Sequence, residues 1–148
     1  MPQSLAQVWL HLVFSTKNRQ PWLADPAFRE EMFKMLGYHV AQTGCVPELT
    51  GGWIDHVHLV LRLSRTISIS DLVQELKTET TPWAKKAHNG SSEFSWQAGY
   101  AVFSVSQSQV EIVREYVLNQ EEHHRRRSFQ EELRLRHEIE IDERYVWD

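Results

Sequence analysis

The sequence predicts an α+β fold, an antiparallel sheet with helices on one face and a further helix toward the C-terminus. Three observations predict it. Short β-branched and aromatic runs alternate with longer stretches of helical periodicity. Residues that start and stop helices sit at the junctions. The resulting order, β-α-β-β-α-β-α, is that of a ferredoxin-like or RRM-like sandwich, in which two central strands lie side by side.

The first strand spans Ala6 to Ser15, where VWLHLVF reads as buried. Lys17 to Trp22 makes a polar loop. A helix begins at Asp25-Pro26, with Asp25 as N-cap and Pro26 in the first turn. Phe28, Met32, Leu36 and Val40 form its apolar face, and Gly44 stops it. Cys45 to Leu49 is a short strand, followed by a turn or bulge signal at Gly51-Gly52. Trp53 to Leu63 is the strongest strand and an inner one. A second helix starts at Ser68 or Ser70, with Asp71 in its first turn and Leu72, Val73 and Leu76 facing the core. Pro82 is expected to kink or restart it, with Thr81 as a new cap. Residues from His88 to Ser92 form a loop. Phe94 to Val105 reads as a strand pair or one long strand bent at Gly99. A capping-box pattern at Ser106 to Gln109 opens the helix that carries Val110, Val113, Tyr116, Val117 and Gln120. Ser128 with Glu131 repeats that pattern for a charged C-terminal extension, 128–148, within one domain, 1–148.

Composition sets outer bounds. The 148 residues suffice for one hydrophobic core, and 24% charged with 41% hydrophobic is ordinary for a soluble globular chain. The single Cys45 excludes an internal disulfide. No apolar run is long enough to span a bilayer, and the start carries neither a basic segment nor a cleavage site, so a cytoplasmic protein without a membrane partner is expected. The formal charge of -4 argues against binding nucleic acid through a general positive field, so such contact needs a local basic patch.

Two motifs carry chemistry. His56-Val57-His58 lies in an apolar strand, so both imidazoles project from one side of it. Tyr116 and Gln120, four apart on a helix, share a face. Two imidazoles and an amide oxygen can hold one divalent cation, and a phenol beside that cation is placed to attack phosphorus. Asp55 is a candidate to orient an imidazole, although strand alternation starts it on the opposite face. A histidine-triad hydrolase needs a third histidine where Val60 stands, and a zinc finger needs cysteines that are absent. Taken singly, His-x-His also fits a pair of surface histidines, and Tyr116 fits a core tyrosine with its hydroxyl at the edge. His123 and His124 continue the face of Tyr116 and rival Gln120 as third ligand.

Together, His56-Val57-His58 and Tyr116-x-x-x-Gln120 resemble the motifs of small single-tyrosine transposases of bacterial insertion sequences and REP-associated relatives, within the HUH superfamily. The likeness runs from VWLHLVFSTKNR through LVQELK and WQAGYAVFSVS to REYVLNQEEHH. It implies that His56, His58 and Gln120 bind Mg²⁺ or Mn²⁺. It implies that Tyr116 attacks a scissile phosphate in single-stranded DNA, leaving a covalent 5′-phosphotyrosine and a free 3′-hydroxyl. It further implies a homodimer that recognises DNA hairpins near element ends.

Lys17, Arg19, Arg62, Lys77 and Arg125 are the expected DNA contacts, with Arg65, Lys85 and Lys86 nearby in sequence and Trp83, Trp96 or Tyr100 available to stack on bases. Each cation singly is better explained as a solvated surface charge, and only as a set do they form a track for phosphates. Three alternatives stay open: a domesticated HUH nickase acting on repeated palindromes, a catalytically silent nucleic-acid-binding module, and a zinc-dependent phosphoesterase.

Overall fold

A computed structural model of the chain describes residues 4–120. The elements follow the expected order: β1 (Val8–Ser15), α1 (Pro26–Gln42), β2 (Val46–Gly52), β3 (His56–Leu63), α2 (Ile69–Lys86), β4 (Ala101–Val105) and α3 (Val110–Leu118). The four strands form one antiparallel sheet in the order β2-β3-β1-β4, so β1 and β3 are the inner pair. This is the α+β sandwich that the element order predicts.

Alternation along the inner strands sorts the two faces. Leu10, Leu12 and Phe14 of β1 and Val57, Leu59 and Leu61 of β3 face the main core. They meet Phe28, Met32, Leu36 and Val40 of α1 and Leu72, Val73, Leu76 and Ala84 of α2. Both helices begin at the caps the sequence marks: the Asp25 carboxylate accepts from Phe28 N–H at 2.9 Å, and the Ser68 hydroxyl from Asp71 N–H at 3.1 Å. The opposite face carries Trp9, Val60 and the histidines, and α3 lies over it through Val110, Val113 and Val117.

Several boundaries differ from expectation. Pro82 does not restart α2, which runs unbroken from Ile69 to Lys86. It sits on the exposed side of the helix, so the carbonyl that loses its amide partner, on exposed Thr78, is left to water. The strand expected from Trp53 begins only at His56, because Trp53 N–H donates to His56 O at 3.0 Å and closes a tight connection over Trp53–Asp55. Gly52 fits this connection at φ 151°, where a Cβ would fall 2.3 Å from His56 O. The irregularity in β2 lies between Pro47 and Leu49, whereas Gly51 and Gly52 belong to the strand. Of the stretch from Phe94, only Ala101–Val105 is strand. The part before it packs Phe94 and Trp96 into the core, pairs Trp96 with Thr16 in an isolated bridge just past β1, and hydrogen-bonds Ser15 through Gln97. The capping box at Ser106 does not form: a 3₁₀ turn over Gln107–Gln109 precedes α3, and Gln107 instead accepts from the Trp9 indole at 2.6 Å. The C-terminal extension from Ser128 lies outside the described residues.

Candidate active site

The strand register decides which polar groups meet. His58 pairs with Val13 and His56 with Ser15 across β3 and β1, while His11 stands opposite Val60. His11 is therefore the diagonal neighbour of His58 on the same face. All three imidazoles are fully buried. His11 Nε2 and His58 Nδ1 are 2.8 Å apart, and the two rings stack at 5.0 Å. The His56 and His58 rings are also 5.0 Å apart, edge to face.

Asp55 holds the other imidazole. Its carboxylate accepts from His56 Nδ1–H at 2.8 Å. The strand-alternation objection to this contact disappears because Asp55 precedes β3 and is free of its alternation. The turn after β1 fixes Asp55 in place. Thr16 N–H donates to Asp55 O at 2.9 Å, and Arg19 Nε–H donates to its carboxylate at 3.3 Å. Asn18 and Arg19 adopt left-handed backbone conformations, φ 56° and 54°, to make that turn.

With Nδ1–H donating to Asp55, the tautomer that leaves Nε2 without a proton turns its lone pair inward. It meets the Gln120 carboxamide oxygen at 3.0 Å, while Gln120 Nε2–H donates to Tyr116 O at 3.2 Å. Two lone-pair atoms facing each other are poor partners for one another and good ligands for a cation. Two ligands at right angles about an ion with bonds of roughly 2.1 Å stand about 3.0 Å apart, so the pair fits such an ion. The described residues hold no cluster of three His, Cys, Asp or Glu groups arranged for a metal. A cation here would rest on His56, His58 and the Gln120 amide, a mixed nitrogen and oxygen set that suits Mg²⁺ poorly on the imidazole side and Mn²⁺ better.

Tyr116 belongs to this cluster. Its ring centroid is 5.8 Å from that of His58 and 6.0 Å from that of His11, edge-on to both. The ring is half-buried, and its hydroxyl oxygen is shut off from solvent. The helix end is more irregular than the i, i+4 spacing implies. α3 stops at Leu118, and Asn119 leaves the helical region at ψ 26°, yet Gln120 still folds back under Tyr116. Close seating of α3 depends on Gly51, where a Cβ would stand 2.8 Å from Val117 Cγ1 and 3.2 Å from Val117 O. Arg114 ties the helix to β2 through Glu48 at 2.7 Å.

The expected DNA contacts scatter. Lys17 is exposed beyond β1, and Arg62 lies half-buried over the Trp9 ring at 5.8 Å. The Lys77 ammonium is committed elsewhere: it donates to the carbonyls of Gln97 and Gly99, each at 2.8 Å, and burial lowers its pKa to about 8. Trp96 and Trp83 are also used internally. Trp96 is buried with its indole donating to Thr80, and Trp83 stacks on Phe28. Arg125, His123 and His124 lie outside the described residues. Sequence reasoning did not place His11 in this cluster; its only signal was one imidazole inside an otherwise apolar strand.

The chain matches the family model of IS200-like transposases over residues 4–120. Among curated proteins none matches it. Among solved structures it is similar to a candidate transposase from Deinococcus radiodurans, 25% identical, with a TM-score of 0.59, over 81% of this chain and 95% of that one. It also shares a fold with a REP-associated tyrosine transposase solved bound to a REP hairpin, 14% identical, TM-score 0.60, over 84% of this chain and 72% of the other. Among the described residues no helix is long and apolar enough to cross a membrane.

Proposed function

This chain belongs to the IS200-like transposase family, and from that premise we propose that it cuts and rejoins single-stranded DNA with Tyr116 as nucleophile. One observation carries the reading: imidazoles from β3, a carboxamide beyond α3 and the Tyr116 ring converge in one buried cluster. The Tyr116 oxygen attacks the phosphorus and loses its proton to solvent. A tyrosyl O–P bond forms and the P–O3′ bond breaks. The 3′-oxygen takes up a proton, so one product is a 5′-phosphotyrosine and the other a free 3′-hydroxyl. Attack by a 3′-hydroxyl on that link reverses the sequence and restores Tyr116 without an external energy source.

A bound Mg²⁺ or Mn²⁺, held by His56, His58 and Gln120, would polarise a phosphoryl oxygen and screen its charge. Asp55 keeps His56 in the tautomer that such an ion needs. Because the Tyr116 hydroxyl is covered, a phosphodiester reaches it only after the cover moves. Lys17 and Arg62 are the phosphate contacts this reading retains; Arg19 serves Asp55 first, and Lys77 its carbonyls. The fold shared with a hairpin-bound transposase supports hairpin-ended DNA as the substrate to try. A homodimer is proposed with it, to be checked by sedimentation equilibrium.

A labelled hairpin oligonucleotide with a single-stranded flank tests the reading. A covalent adduct is expected with wild type and Mg²⁺ or Mn²⁺, and none with EDTA or with Tyr116→Phe. An unchanged adduct in Tyr116→Phe removes Tyr116 as nucleophile. Hairpin binding without any adduct in wild type leaves a silent binding module instead.

A further inference from the structure

Resting on the metal reading above, we propose that His11 is a positioning residue whose Nε2 accepts a hydrogen bond from His58 Nδ1–H, fixing the His58 tautomer that presents Nε2 to the cation. The contact between the two rings, 2.8 Å across β1 and β3, allows two proton placements. If His11 donates, His58 carries its proton on Nε2 and offers an N–H where a ligand is needed. If His58 donates, its Nε2 keeps a lone pair directed away from His11. A histidine that ligates metal through one nitrogen nearly always donates from the other to an acceptor. His56 has that acceptor in Asp55, 2.8 Å from its Nδ1. His58 stands in the same position in the site, and the group at its Nδ1 is His11.

The choice of imidazole over carboxylate follows from the charge that the site must admit. Asp55 already brings one negative charge to the edge of the cluster, where Arg19 offsets it. A second carboxylate beside His58 would stand in a buried pocket that has to take in a phosphodiester anion, and like charges in such surroundings are strongly unfavourable. A neutral acceptor orients His58 without that repulsion. The geometry holds it firmly: His11 lies on an inner strand, fully buried, stacked on His58 with the ring planes 24° apart.

The test needs no DNA. Nitrogen chemical shifts of the His58 imidazole, read in the metal-free full chain, report which ring nitrogen carries the proton. A proton on Nδ1 supports the proposal; a proton on Nε2 overturns it. Mn²⁺ affinity, followed by paramagnetic resonance, is then compared across variants. His11→Phe is expected to weaken Mn²⁺ binding about 10- to 100-fold, the usual cost of losing such a partner, and His11→Gln, which keeps an acceptor, to stay within about threefold of wild type. Wild-type affinity in His11→Phe overturns the proposal. If His11→Phe does not fold, the wild-type shifts and His11→Gln still decide. His58→Ala separates the two levels. Loss of Mn²⁺ in His58→Ala but not in His11→Phe sinks the role of His11 alone, whereas wild type that binds no Mn²⁺ sinks the metal site with it.

Discussion

The two faces of the sheet are made from the same strands and serve different ends. Toward α1 and α2, the inner strands present Leu10, Leu12, Phe14, Val57, Leu59 and Leu61 to an apolar cluster of eighteen buried residues. Toward α3, the apolar cluster has five, Trp9, Val60, Val110, Val113 and Val117, and the same face buries His11, His56 and His58, with Gln120 folded in from beyond α3. Burying that many imidazoles costs stability unless each finds a partner. His11 and His58 partner one another, and His56 partners Asp55. One face supplies the free energy of folding, and the other uses the resulting rigidity to hold polar groups in place. A two-residue repeat keeps them apart, since neighbours along a strand never share a face.

That division predicts separable effects, largest first. Tyr116→Phe should lower adduct formation by at least roughly a thousandfold, because the proposed reaction takes its nucleophile from Tyr116. Its urea midpoint should shift little, by less than about 1 kcal/mol in stability. A large loss of stability would break the division. Leu76→Ala, at a fully buried position against the opposite face, should cost about 2–5 kcal/mol in urea titration. Adduct yield per folded molecule should hold, and a parallel loss of both would show that the faces are coupled.

Gly51→Ala tests the join between them. The new Cβ meets Val117 backbone as well as side chain, so α3 must shift. We expect a fall in cleavage of roughly 10- to 100-fold from misplacement of Tyr116 and Gln120, with about 1–2 kcal/mol of stability lost to overpacking. The smallest effect concerns Lys77, which packs over Phe14 on the core face. Its folded pKa, about 8, lies below the ordinary 10.5. The unfolded chain therefore binds more protons between those values, and stability contributed by this group rises with pH across that window. Wild type and Lys77→Met, compared by thermal melts through the window, should diverge in slope, and equal slopes would remove Lys77 from the account.

Local rules reached far in this chain. The caps at Asp25 and Ser68, the apolar spacing of α1 and the alternation in β3 each depend on neighbours within one turn or one strand, so the sequence carried them. His56 and His58 on one side, and Tyr116 with Gln120 on another element, were legible for the same reason. Where expectation failed, a distant partner had intervened. The strand start at Trp53 gave way to a connection that Thr16 and Leu23 pin from the loop after β1. The Ser106 cap gave way to a turn that Gln107 joins to Trp9.

The sequence by itself determined the order of elements, the inner place of the strand that carries His56 and His58, and the residue types of the candidate site, because each follows from short-range periodicity. Only the tertiary structure decided that β1 lies beside β3 in the register that sets His11 diagonally across from His58. It also decided that Asp55 escapes strand alternation to reach His56, and that a glycine in β2 lets α3 close over both. Register and close approach are fixed by packing between segments tens of residues apart, and no local pattern encodes them.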